Sequence, residues 1–490
     1  MNRCLAAAAA LALLAGAAQA QRADITVGVQ LEPPNLDPTA GAAAAIDEVV
    51  YANVMEGLTR IDRTGAVQPA LARTWEISDD GLTYTFRLVD GATFHDGTTF
   101  DAEDVKFSLD RAMAEDSTNA QKALFEPIET VEVVDPTTIQ VTLKRPTGSF
   151  LFNMGWGDAV IVAPESAETN ATNPIGTGPF RFVEWAKGDR VDLARYDGYW
   201  GAPAALDRAT IKFIADPTAA FAALMAGDIH AYPRWPAPET VPQLEADPRF
   251  TVTRGASEGE TILSTNNKQP PFDDLRVRKA VAHAIDRQAI IDLAMFGEGL
   301  PIGSHFPPHN PDYVDLTGLH AHDPEKAKAL LAEAGYPDGF QATLKLPPPA
   351  YARRGGEVVA AQLREVGIEL EIQNVEWAQW LEQVFRNKDF DLTIVSHTEP
   401  RDINIYARPD YYFQYDNPDF QALMEELNAA TSPETRSDIL KTAQRMIAED
   451  AVNGFLMQGG ITSVFLKEIE GLWENQPTQA TDLTQVRWTQ

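Results

Sequence analysis

The segment Ser396-His397-Thr398-Glu399-Pro400-Arg401-Asp402 places four ionisable side chains directly after the apolar run 390–395. Charge at the end of a buried strand is costly unless it is paired or faces a cleft. In open α/β sheets, ligands bind in the crevice beyond the carboxyl ends of the strands. Two readings therefore stand. The segment is either a solvated loop or a polar cleft wall in which Glu399, Asp402, Arg401 and His397 meet a small ligand. Trp377 and Trp380 follow the run 368–375; they either line the same cleft or form the core face of a helix.

Four histidines, His305, His309, His320 and His322, crowd the stretch 303–322. Imidazoles this close could hold a transition metal. No carboxylate lies among them at a regular ligand spacing and the stretch is Pro-rich, so no metal site is expected. His95, before Asp96-Gly97, reads as a turn or packing residue and not as a base. The motifs G-x-S-x-G, H-E-x-x-H, G-x-x-x-x-G-K-[ST] and G-x-G-x-x-G are missing. The Gly-rich stretch 175–180 lacks the Lys and the helix of a phosphate loop, so it reads as a tight turn before a strand at 180–185. No catalytic residue and no cofactor is expected, and a secreted hydrolase is kept only as the rival class.

The elements that must carry these residues differ between the two halves of the chain. In 79–100, Leu82, Tyr84, Phe86 and Leu88 alternate with polar residues, which predicts half-buried strands. Asp80-Gly81, Asp90-Gly91 and Asp96-Gly97 supply turns at hairpin spacing. Asp101 predicts a helix N-cap, with Val105, Leu109 and Met113 on one face. A further strand pair is expected at 131–143. In the second half, 274–296 reads as one amphipathic helix stopped at Gly297. Helices at 323–334 and 357–366 and strands at 341–346, 368–373 and 390–395 then alternate, the pattern of an α/β layer. Two lobes with a cleft between them follow from this division.

The start of the chain predicts export. Arg3 precedes the unbroken apolar run 5–18, and Ala18-Gln19-Ala20 offers small residues for cleavage. The run is shorter than the roughly 20 residues that span a bilayer, so no membrane insertion is expected. The only cysteine, Cys4, leaves with this segment. The formal net charge of −31 argues against nucleic acid and anionic lipid as partners.

Several stretches, taken in order, resemble the periplasmic solute-binding proteins of ABC importers, the family that binds dipeptides, oligopeptides and nickel. They are 51–58, 69–72, 75–86, 90–105, Gly176-Thr177-Gly178-Pro179-Phe180, Tyr199-Trp200, 271–278, 284–287 and 323–327. The resemblance implies a two-lobed, type II periplasmic-binding-protein fold with an extra β-rich subdomain in the first lobe. It divides the chain into a signal peptide (1–20), lobe I (21–58 and 167–265), its extra subdomain (59–166), lobe II (266–470) and a return to lobe I (471–490). The chain would cross between lobes near Asn266. The protein would work as a monomer in the periplasm and deliver a small solute or short peptide to an inner-membrane ABC permease. In peptide-binding members an acidic residue after the strand matching 390–395 holds the ligand's ammonium group. Glu399 is the first choice for that role and Asp402 the second, although the loop departs from the family's Asp. Arg401 would instead neutralise Glu399 or bind a carboxylate. Arg234 and Trp235 would supply a carboxylate contact and an aromatic wall, or form a surface turn. An opine or modified amino acid, a metal chelate, haem or an oligosaccharide are the alternative ligands.

Overall fold

The structure is a computed structural model that describes residues 22–41, 43–397, 402–430 and 432–489. The expected signal segment, Glu399 and Arg401 lie outside the described residues. Among the described residues, no helix is long and apolar enough to cross a membrane.

One eleven-stranded sheet runs through both halves of the protein. Its order is Ile368–Asn374, Phe340–Leu346, Leu392–His397, Phe250–Thr265, Asn453–Leu466, Ala231–Tyr232, Asp24–Val29, Arg208–Phe213, Arg190–Arg195 and Phe180–Ala186, with Gly299–Pro301 paired beside Asn453–Leu466. The two longest strands join the halves. Phe250–Thr265 and Asn453–Leu466 pair antiparallel from Phe250 opposite Leu466 to Ser264 opposite Asn453. Their ladder breaks register between Ala256 and Glu260. On one side of the break Ala231 pairs with Phe465, and on the other Glu260 pairs with His397.

The first half contains the expected β-rich piece, a four-stranded sheet in the order Ala72–Ile77, Thr83–Leu88, Thr138–Leu143 and Ile128–Asp135. Tyr84, Phe86 and Leu88 point into a core shared with Val105 and Leu109 of helix Ala102–Met113. That helix begins with a capping box, in which Asp101 accepts from Glu103 N and Asp104 accepts from Asp101 N. Such a cap stabilises a helix start by about 1 kcal/mol. The C-terminal segment packs Leu483, Val486 and Trp488 into the same core as Ile25 and Val27.

Three of the stretches that suggested a family resemblance, 51–58, 176–180 and 199–200, meet at one buried carboxylate. Glu56 accepts hydrogen bonds from Thr177 Oγ1 (2.9 Å), Tyr199 OH (2.8 Å) and Trp200 Nε1 (2.9 Å). Burial pushes its carboxyl up, and these three donors offset part of that. Gly176 and Gly178 lie directly on the backbone of Asn53–Val54; a Cβ on Gly176 would come within 2.0 Å of Val54 O. The Gly-rich stretch is thus a close backbone contact, as a tight turn requires.

The second half is a parallel α/β layer. Phe340–Leu346 pairs in parallel with both Ile368–Asn374 and Leu392–His397. Helix Ala350–Glu365 covers the sheet and begins seven positions before the expected residue 357. Gly356, inside the added turns, lets the helix sit close to the sheet: a Cβ there would meet Leu346 Cδ1 at 2.4 Å. The single helix expected over 274–296 is two, Leu275–Ala284 and Arg287–Met295. Ile285 is extended and Asp286 caps the second helix by accepting from Ala289 N, a competition that a short acidic side chain wins at a helix start. The stretch 303–322 is not a free linker, since Ser304, His305, Phe306 and His320 in it are buried.

Candidate functional site

A cleft of about 330 Å³ opens between the β-rich piece and the second half. Arg145, Ser149, Phe152 and Trp156 form one wall, and Asp402, Asn404 and Asn428 form the other. Short helix Phe150–Asn153 carries Phe152, with Ser149 at its start and Arg145 and Trp156 in the flanking loops, and Asp402 opens the 3₁₀ turn Ile403–Ala407. A neighbouring cavity of about 490 Å³ shares Ser149, Phe152, Asn404 and Asn428 with it. The arrangement combines aromatic faces with a carboxylate and a guanidinium on opposite walls.

Asp402 is backed by a buried ionic cluster. Its Oδ1 lies 2.8 Å from His305 Nε2, and its Oδ2 lies 3.7 Å from His397 Nδ1. The other His305 nitrogen, Nδ1, lies 2.7 Å from Glu260 Oε1. The side chains of His305 and Glu260 are 1% and 2% exposed, against 15% for Asp402. Neither His305 contact is aligned as a hydrogen bond, and Glu260 Oε1, His305 Nδ1 and Asp402 Oδ1 are left without one. The attraction is therefore chiefly ionic. Burial opposes charge on His305, but the two carboxylates outweigh it and push the imidazole up to about 10. Burial raises Glu260 to about 7 in spite of His305. Burial also acts on Asp402, yet His305 and His397 hold its carboxyl well below the usual carboxylate range. At neutral pH the cleft thus faces an ionised carboxylate with an imidazolium behind it.

Glu260, His305 and Asp402 offer three ligand atoms within 4.8 Å of one another, close enough to consider a metal ion. Each nitrogen of His305 faces a different carboxylate, however. A metal ion would engage only one of the two nitrogens. The remaining histidines are dispersed. His309 Nε2 meets Glu258 Oε1 at 2.7 Å, His320 Nε2 meets Ala448 O at 2.9 Å, and His322 lies 3.9 Å from Asp286. His95 packs against Tyr196 and bonds Gly178 O at 2.9 Å, and burial lowers it to about 4.

The other residues singled out from the sequence fall in different places. His397 lies on the sheet and not in a loop, because the strand runs over Leu392–His397 instead of 390–395. Asp391 stands before that strand and accepts from Thr343 N and Oγ1 on the neighbouring one. Trp380 is core: its Nε1 donates to Thr393 Oγ1 and its ring packs on Tyr412. Trp377 is 40% exposed and lines neither cavity. Trp235 is neither a cleft wall nor a surface turn; it is buried beside Tyr232 and donates to Ala237 O and Thr240 Oγ1. Arg234 bonds Gln476 Oε1 at 2.6 Å and lies 3.7 Å from Glu48. Asn266 is buried, and its amide donates to Lys388 O and Phe390 O. Sequence reasoning missed Arg145, Phe152, Trp156, Asn404 and Glu260. Strand Phe250–Thr265 is rich in Thr, Ser, Gly and Glu, so no sequence signal marked Glu260 as buried.

The sequence pattern described as "Bacterial extracellular solute-binding proteins, family 5 Middle" matches residues 66–417. The chain is 31% identical over 435 residues to heme-binding protein A of Haemophilus influenzae, covering 79% of this chain and 78% of that one. It is 33% identical over 364 residues to the glutathione-binding protein GsiB of Pectobacterium atrosepticum, covering 73% and 70%. The structure of HbpA2 from Haemophilus parasuis superposes with a TM-score of 0.87 at 24% identity, covering 95% of this chain and 100% of that one. These matches agree with the two-lobed type II architecture, and the chain belongs to the bacterial extracellular solute-binding proteins of family 5.

Proposed function

We propose that this solute-binding protein captures a small peptide or peptide-like molecule through its free ammonium group and hands it to an ABC permease. The observation that carries the reading is Asp402, an ionised carboxylate facing the cleft opposite Arg145 and Trp156. Asp402 would hold the ammonium group, Arg145 a carboxylate, and the aromatic wall the apolar middle. Small-molecule sites occupy about 300–1,000 Å³. A cleft of about 330 Å³, with an adjoining cavity of about 490 Å³ that shares four of its lining residues, has room for a small solute or short peptide. A relative named for glutathione, itself a tripeptide, points the same way.

Closure of the lobes on a ligand that touches both would stabilise the closed state by differential affinity. In this reading the lobes are 21–58, 59–166 and 167–265 on one side and 266–470 on the other, with 471–490 returning to the first. The signal segment 1–20 is removed and the monomer works in the periplasm as a binder, not an enzyme. Native mass spectrometry of protein purified from its own host tests the ligand class. A co-purified small molecule with a primary ammonium group is expected. Haem or an oligosaccharide in its place would overturn the peptide reading.

A further inference from the structure

We infer that His305 and Glu260 are positioning residues that tie the cleft carboxylate of Asp402 to the strand crossing between the lobes, so that solute affinity depends on both. The inference rests on Asp402 as the solute anchor.

Its first support is the position of Glu260. This residue is the first to pair again after the register break in the two long strands, where it stands opposite Gln458 on one side and His397 on the other. Any change of angle at the break therefore moves Glu260 directly. The second support is the imidazole of His305, wedged between Glu260 and Asp402 with both of its nitrogens engaged. Three chain segments distant in sequence meet at this one ring. The third is a parallel contact two residues away on the strand and four residues away on the loop: Glu258 Oε1 to His309 Nε2 at 2.7 Å. The stretch 303–322 is thereby strapped across the crossing at two points. The crossing itself is held by side chains where the ladder is broken, since Gln458 Nε2 donates to Ser257 O and Asn475 Oδ1 accepts from Ala256 N.

The charge of this cluster reaches the solute. The groups facing Glu260 are His305, Asp402 and His397, with the buried phenols of Tyr406 and Tyr412 beside them. One imidazolium serves two carboxylates. When Glu260 holds a proton, the pair of His305 and Asp402 is neutral overall. When Glu260 loses it, the cluster gains a negative charge behind the anchor.

The test uses the full mature chain, with reduced glutathione and L-alanyl-L-alanine as probes in calorimetric titrations from pH 5.5 to 7.5. Wild-type affinity should rise several-fold across this range. Glu260→Gln should flatten the profile at the weak, acid-side level. His305→Gln removes the group that holds Asp402 in place and keeps it ionised against burial, and this should outweigh the lost positive charge and weaken binding at least tenfold at pH 6. If Asp402→Asn leaves affinity unchanged, the anchor reading fails. If Asp402→Asn weakens binding while His305→Gln and Glu260→Gln keep the wild-type affinity and pH profile, the positioning role alone is overturned. A ligand-free arm follows the histidine ring nitrogens by ¹⁵N NMR. His305 should remain doubly protonated to pH 7.5 in the wild type and lose a proton below that pH in Asp402→Asn. A ring that titrates near 6.5 in both proteins, or that binds one equivalent of Zn²⁺ in a His305-dependent manner, would also overturn the inference.

Discussion

Replacing Glu56 by Ala should destabilise the first half of the protein without touching the cleft. The carboxylate accepts from Thr177, Tyr199 and Trp200, and the substitution strands all three donors. An unsatisfied buried donor costs about 1–3 kcal/mol. Thr177 is fully buried and should show the full cost, whereas Tyr199 and Trp200 are half-buried and recover part of theirs from water. Removing a carboxyl whose charge is disfavoured by burial returns some stability. The net loss should be about 2–4 kcal/mol, in the range of broken buried networks. Glu56→Gln keeps an acceptor for Trp200 and offers an amide to the Tyr199 hydroxyl, so it should cost no more than about 1 kcal/mol. Urea denaturation followed by tryptophan fluorescence reads both variants. If Glu56→Ala unfolds within about 0.5 kcal/mol of the wild type, Glu56 is not the structural centre of these stretches.

A buried acid in the first half predicts a pH dependence of stability. Burial raises Asp158 to about 7, so the folded chain holds a proton that the unfolded chain releases near its ordinary value of 3.8. Its stabilising contribution is present in acid and is lost as the pH rises toward 7, at about 1.4 kcal/mol per unit of difference. Asp158→Asn should therefore raise the thermal midpoint at pH 8 and change it little at pH 4; an equal effect at both would contradict the assignment. Asp47 lies beside Asp158 and is also raised well above its usual range, first by burial and then by Asp158, so Asp47→Asn should behave alike.

Local signals were legible in the sequence because a few adjacent residues suffice to produce them. Asp101 caps its helix, the Asp-Gly pairs form turns with positive φ at Gly81, Gly91 and Gly97, and Tyr84, Phe86 and Leu88 face one core. Errors arose where packing overrides a local rule. Gly356 sits inside a helix because close approach to Leu346 requires it, and Trp235 is buried although its Pro-rich surroundings suggested a cleft wall or a surface turn. The site was only partly legible. Asp402 was named for its place after a strand, but nothing in the spacing of residues 260, 305 and 402 links them. Their meeting depends on the broken register of two long strands and on a Pro-rich stretch folding back over it.

The central claim is that Asp402 holds a solute's ammonium group. It is tested most directly by calorimetric titration of the wild type and Asp402→Asn with the solute recovered from the host and with its N-acetylated form. Breaking a desolvated charge pair costs about 2–5 kcal/mol, so binding should weaken at least thirtyfold on either change, with the thermal midpoint of the unliganded protein preserved. Equal affinity of both proteins for both forms of the solute would contradict the account.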